Sequence, residues 1–212
     1  MKNLIKLKRI IEKDLKEINK IIEESLNGEH KKLTEIYKYL KKQKGKQIRS
    51  SIILLIGLLG NNNSKSDLYH LAAGIELIHL ASLIHDDIID NATIRRNQET
   101  LHKKFGINNG IIIGVHCYSI ALKLFTKTKN IDVIRDVSNT VTQLCEGEFI
   151  QVNERTNFNL SEKEYWNIVS KKTSSLFVTC CKVSSYLSNL PSQTVNQLSQ
   201  FGQLLGLSLI HI

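Results

Sequence analysis

A single proline, Pro191, interrupts a chain of 212 residues. Proline is the residue that a helix interior or a central strand cannot hold, and glycine, the other breaker, occurs only eleven times. Long unbroken elements follow, and apolar periodicity decides that they are helices. Leu4, Ile11, Leu15, Ile18, Ile22 and Leu26 return at helical spacing, which predicts an amphipathic helix over roughly 2–27. A second helix is expected over about 31–42, ending near Gly45. "IRSSIILLIGLLG" reads as a buried helix stopped by Gly60 and the "NNNSKS" loop. The next covers 67–90, with Ser66 or Asp67 as N-cap. A polar connection, 91–109, precedes apolar helices at about 110–127, 131–153, 161–187 and 193–212. No internal repeat or linker divides the pattern, so the expectation is one all-α domain over 1–212.

Several function classes are excluded or demoted. Hydrophobic residues make up 42% of the chain, too many for wholesale disorder. No window of about 18 residues is free of charge and apolar throughout, so no membrane span is expected. "MKNLIKLKRIIEKDLKEINK" is charged along its whole length, unlike a signal peptide; a cytoplasmic protein is expected. Cys117, Cys145, Cys180 and Cys181 lack CxxC spacing and lie in apolar helical stretches, which predicts buried free thiols. The net charge of +9 raises the question of nucleic acid. The excess, however, is lysine on amphipathic faces, only 6% of residues are aromatic, and no nucleic-acid motif is present. Solvated helix faces, or a phosphorylated small substrate, account for it better.

The chemistry concentrates in "ELIHLASLIHDDIIDNATIRRNQETLH", residues 76–102. Asp86 and Asp90 stand four apart and share a helix face, with Asp87 about 100° round. Stacked like charges weaken a bare helix, and the helix dipole disfavours carboxylates at its C-terminal end. A hard divalent cation reverses that sign, and Mg²⁺ commonly takes one or two carboxylates together with substrate phosphates. Cations accompany them: Lys46 and Arg49 in "GKQIRS", His79 two turns before Asp86 on the same stripe, and Arg95 with Arg96. Two diphosphate groups, one bridged through Mg²⁺ and one held by basic side chains, explain the set economically.

With these residues the chain resembles the trans-isoprenyl (polyprenyl) diphosphate synthases. "GKQIRS" is similar to the family's GKxxRP, "HLASLIHDDIIDNATIRRNQETLHKKFG" to its first aspartate-rich motif, "LCEGEFIQ" to its GExxQ helix and "KKTSSLF" to its KT motif, with "FGQLLG" following in order. The resemblance implies an isoprenoid-synthase-like helical bundle around a central cavity. It implies a prenyltransferase that condenses isopentenyl diphosphate with an allylic diphosphate, and the family's usual dimer. Asp86 and Asp90 would be the principal Mg²⁺ ligands, with Asp87 a weaker one. Arg95 would hold the allylic diphosphate, helped by Lys172 and Thr173, and Gln151 would line the cavity. Lys46, Arg49, His79 and Arg96 would hold isopentenyl diphosphate. Ala81 and Ser82, small residues about a turn before Asp86, with Ile75 and Ile78 deeper, imply a product longer than fifteen carbons.

Three departures stand against the pattern. The second aspartate-rich motif is expected after a stretch that here reads "GLSLIHI", with Ile210 in place of a usual glutamine. Val115 stands where an aspartate is common, and Ser50 replaces the proline of GKxxRP. These imply a chain lacking its C-terminal helices, and leave two other functions open: a catalytically incomplete partner subunit of a full-length synthase, forming a homodimer or heterodimer, and a diphosphate lyase using DDxxD alone. "GKQIR" and His79, a site for a second diphosphate, weigh against the lyase.

Overall fold

A computed structural model describes residues 2–42, 45–61 and 64–209, with side chains from residue 9 onward. Ile210, Ile212 and the side chain of Leu4, on which part of the sequence reading fell, lie outside the described residues.

The helices are α1 (Lys2–Ser25), α2 (Lys31–Lys42), α3 (Ile48–Gly57), α4 (Lys65–Ile89), α5 (Leu101–Phe105), α6 (Ile107–Thr126), α7 (Ile131–Glu154), α8 (Glu162–Val169), α9 (Ser175–Leu187) and α10 (Ser192–Ser208). The strands β1 (Ile94–Arg95) and β2 (Gln98–Glu99) form a short antiparallel hairpin between α4 and α5. The fold is all-α apart from that hairpin. Periodicity located every helix but the short α5, which falls in the expected polar connection, to within a few residues. α4 begins at Lys65, two residues before the expected Asp67, after a turn in which Ser64 O accepts from Asp67 N–H, and α6 begins at Ile107, three residues before the expected 110.

The expected helix over 161–187 is continuous but not uniform. A capping box starts it: Ser161 accepts from the backbone of Glu164, whose side chain returns to the Ser161 amide and hydroxyl. It then widens at Ser170–Ser174 into one π-helical turn before continuing as α9. Such bulges rotate the residues that follow and gather at functional sites.

The chain divides into two compact units, one of residues 1–51 and 69–127 and the other of 52–68 and 128–212. In the first, Ile18, Tyr37, Leu71, Ile75, Leu77, Ile78, Ile113 and Phe125 are buried almost completely. In the second, Val133, Leu176, Phe177, Cys180, Cys181 and Val183 play that part. Burying one such side chain contributes roughly 1.5–3 kcal/mol, so each unit has a core of its own. Cys117, Cys180 and Cys181 are buried free thiols as expected; Cys145 is also free, but exposed, because it falls on the outer face of α7.

Two helices, α4 and α6, are long and apolar enough to cross a membrane by length and composition alone. About half of each apolar window is buried inside the protein, and α4 carries Glu76, His79 and the aspartates, as the core helix of a folded domain does.

Candidate active site

α4 presents the acidic residues at its C-terminal end. Asp87 is 5% exposed, and both of its carboxylate oxygens accept from Arg95: Nε–H donates to Oδ1 at 2.8 Å and to Oδ2 at 2.9 Å, and a second guanidinium nitrogen lies 2.8 Å from Oδ1. Asp86 is half-buried and Asp90 exposed. The Arg95 guanidinium is held above its ordinary pKa, first by the hydrogen bond it donates to Asp87 and then by the charges of Asp87, Asp86 and Asp90 against the opposing effect of burial. Structurally, then, Asp87 serves Arg95, while Asp86 and Asp90 are the more exposed of the three aspartates.

The hairpin separates the two arginines. Its loop residues, Arg96 and Asn97, both have left-handed backbones, φ 52° and 61°, the geometry of a tight two-residue turn. Thr100, 1% exposed, closes its base: the Thr100 hydroxyl donates to Ala92 O at 2.7 Å and its amide to Thr93 O at 3.0 Å. Tyr39 on α2 ties it down, donating to Glu99 O at 2.7 Å, with the Lys104 ammonium 4.2 Å from the Tyr39 ring centre. Arg95 therefore turns to Asp87, while Arg96 turns into a cavity.

That cavity, of about 530 Å³, belongs wholly to the first unit. Lys46, Arg49, His79 and Arg96 line it together, from the loop before α3, from α3, from α4 and from the hairpin. Apolar side chains, among them Ile22, Leu26, Leu40, Leu80 and Leu83, complete the wall. The lining cations, with Lys41, outnumber the carboxylates of Glu23 and Glu76 by four to two. The pKa of His79 is pulled down from 6.5 to about 3, first by burial and then by the charges of Arg49, Arg96 and Arg95. At neutral pH it is therefore an uncharged hydrogen-bonding group among guanidinium groups. Gly45 lies against Arg96; a Cβ there would come within 3.2 Å of its guanidinium nitrogens.

Ser50, in the place of a proline, is fully buried, and both its N–H and its hydroxyl donate to Glu76 Oε1, at 3.2 and 2.7 Å. A proline could donate neither bond. Glu76 thus satisfies the first turn of α3, where Arg49 sits, with a carboxylate at the favourable end of the helix dipole. Sequence reasoning missed Glu76, although its signal was like that of the aspartates: a charge in an apolar helix, three residues before His79. It placed the helix α1 but missed its part in the site, where Asn19, Ile22 and Glu23, with Leu26 just beyond its end, line the cavity.

The second unit carries Gln151, Lys172 and Thr173, each partly buried. Lys172, in the π-helical turn, forms an ion pair with Glu148 of α7, the side chains being only 19% and 13% exposed. Lys171 pairs in the same way with Glu146. Gly147 lies between those two glutamates, and a Cβ there would stand 2.8 Å from Lys171 Cβ and 3.0 Å from Lys172 Cγ. Only glycine permits so close an approach.

Comparison with known proteins accords with this geometry. The profile of the Polyprenyl synthetase family matches residues 30–209. The chain belongs to that family, and its fold is the all-α fold of the isoprenoid synthases. It is 34% identical over 181 residues to the geranylgeranyl diphosphate synthase of Methanosarcina mazei, covering 82% of this chain and 56% of that one. It is 28% identical over 195 residues to heptaprenyl diphosphate synthase component 2 of Geobacillus stearothermophilus, covering 92% and 61%. A solved decaprenyl diphosphate synthase from Rhodobacter capsulatus superimposes with a TM-score of 0.90 at 27% identity, over 95% of this chain and 62% of that one. The chain spans about three fifths of the length of these relatives.

Proposed function

We propose that the chain serves in Mg²⁺-dependent prenyl transfer in the cytoplasm, joining isopentenyl diphosphate to an allylic diphosphate to give a trans-polyprenyl diphosphate longer than fifteen carbons. One observation carries the reading: Lys46, Arg49, His79 and Arg96, from four separate stretches, line one cavity in which cations outnumber carboxylates. A diphosphate is the small ligand that such a cavity suits best, since planar guanidinium groups pair with its oxygens in twos.

A divalent ion fits the donor set. Among the described residues no group of three or more His, Cys, Asp or Glu is arranged to hold a metal, and Asp87 is occupied by Arg95. Asp86 and Asp90 alone would hold the ion, which suits a cation that completes its shell with water and substrate oxygens. When bound, it would stabilise charge on the leaving diphosphate. Arg95, already directed toward these carboxylates by Asp87, would hold the allylic diphosphate, and neutral His79 would donate or accept a hydrogen bond without adding repulsion beside the arginines. The C–O bond of the allylic diphosphate breaks and releases diphosphate, the isopentenyl double bond forms the new C–C bond, and the proton then lost passes to the released diphosphate. The small Ala81 and Ser82, beside fully buried Ile75 and Ile78, favour the longer product.

A second reading, of a partner subunit within a two-part synthase, is favoured by the similarity to a component 2. Assembly as a homodimer or heterodimer is supported by exposed apolar residues at helical spacing on α6: Ile107, Ile111, Val115 and Leu122. Incubation with Mg²⁺, labelled isopentenyl diphosphate and farnesyl diphosphate, alone and with a full-length synthase, separates the readings. Elongated product from the chain alone establishes the first; product only in the mixture, abolished by Asp86→Ala, establishes the second. Absence of product in both contradicts each.

A further inference from the structure

The loop that carries Lys46 into the cavity is held in a conformation its own sequence does not favour. Gln47 has φ 52°, a left-handed backbone that glycine and asparagine tolerate and glutamine ordinarily avoids. Its carbonyl nonetheless starts α3, accepting from the Ser51 amide at 3.0 Å and the Ser51 hydroxyl at 2.8 Å. Lys46 precedes it and Arg49 follows two residues later, so rotation at Gln47 would move both cations. A tether reaches it from 28 residues away. Gln47 Nε2 donates to Asn19 Oδ1 at 2.8 Å, and Asn19 Nδ2 donates back to Gln47 Oε1 at 3.4 Å. Both amides lie on the cavity wall.

We propose that Asn19 of α1 is a positioning residue: its amide clamps Gln47 in the left-handed backbone that presents Lys46 and Arg49 to the diphosphate. The functional half of this inference rests on the reading of the cavity given above; the conformational half does not. A clamp whose purpose is to hold one φ angle becomes dispensable if the residue it holds can adopt that angle unaided, and glycine does so.

The test uses the full chain with Asn19→Ala, Asn19→Asp, Gln47→Gly and the double variant Asn19→Ala/Gln47→Gly. Two quantities are read: the sign of φ at residue 47 without ligand, from its one-bond Cα–Hα coupling, and the affinity for isopentenyl diphosphate by calorimetry. Asn19→Ala should move Gln47 out of the left-handed region and weaken binding about tenfold. Asn19→Asp keeps the shorter bond and should stay within about threefold of the parent. The double variant should also return to within about threefold. Direct contact of Asn19 with the ligand, or a merely structural role, predicts no rescue by glycine, and that result would overturn the proposal. So would a left-handed Gln47 persisting in Asn19→Ala. If the parent chain takes up no isopentenyl diphosphate, the diphosphate reading falls, while the coupling still decides the clamp.

Discussion

The basic cavity of the first unit and the α7–π-turn region of the second are built from the same residue types and treat charge in opposite ways. Around the π-helical turn every lysine is answered: Lys171 by Glu146, Lys172 by Glu148 and, further along α9, Lys182 by Asp136 at 2.9 Å. In the cavity, cations from distant stretches converge on one wall and outnumber the carboxylates that line it with them, and one of those two, Glu76, is committed to Ser50. Like charges gathered in one place weaken a fold. Balanced charge is what stability alone would produce, whereas a surplus facing a cavity is a cost that a ligand of opposite sign offsets. The difference between the two regions is therefore a functional signal, stronger than either cluster considered alone.

The largest expected effect lies at the acidic pair. Asp86→Ala should lower prenyl transfer by the chain, or by its mixture with a full-length synthase, on the order of a hundredfold or more, by removing one of two ion-holding carboxylates. A loss below about threefold would move the metal role elsewhere.

Next come deletions that should act in opposite directions on stability. Arg95→Ala strands the buried Asp87 carboxylate and should cost about 2–3 kcal/mol in chemical denaturation, a buried-pair figure lowered because the guanidinium side chain is one third exposed. Lys172→Ala should cost about 1–2 kcal/mol, since Glu148 is left largely buried without its partner. Lys46→Ala should leave stability unchanged or slightly raised, within about 0.5 kcal/mol, while weakening diphosphate binding. A cavity cation whose removal destabilised the fold as much as Lys172→Ala would erase the contrast between the regions.

The last effect concerns acid. Because the pKa of His79 falls from 6.5 to about 3 on folding, the unfolded chain binds more protons between those values. The contribution of neutral His79 is present above pH 6.5 and is lost as pH falls toward 3. Denaturation midpoints followed across this window should fall less steeply for His79→Gln than for the parent. Equal slopes would place His79 in water rather than among the arginines.

Much of this was legible in the chain itself. Helix positions followed from the spacing of apolar residues; charge chemistry tied the cations to phosphorylated ligands, and the family resemblance grouped Lys46, Arg49, His79 and Arg96 on one of them. What stayed hidden depended on backbone angles and distant partners. Arg96 in a left-handed turn carries no local mark, since arginine is not a residue that seeks φ > 0; the region 91–109 therefore looked like a plain polar connection rather than a hairpin that points neighbouring arginines apart. Asp87 read as a weaker metal ligand than its neighbours, and nothing local to it announced that Arg95 would donate to both of its oxygens. The π-helical turn changes the path of Lys172 without changing periodicity enough to be seen. Ser50 read as a defect in a motif, yet its two bonds to Glu76 repair what the missing proline would otherwise have supplied by rigidity.

The central claim is that the surplus charge of the first unit's cavity exists to hold a diphosphate. Calorimetric titration of the chain with isopentenyl diphosphate, parent against Arg96→Ala, tests it most directly. The account predicts saturable one-to-one binding by the parent, weakened about tenfold or more in the variant with an unchanged melting temperature. Equal affinity in both, or no binding to the parent, would contradict it.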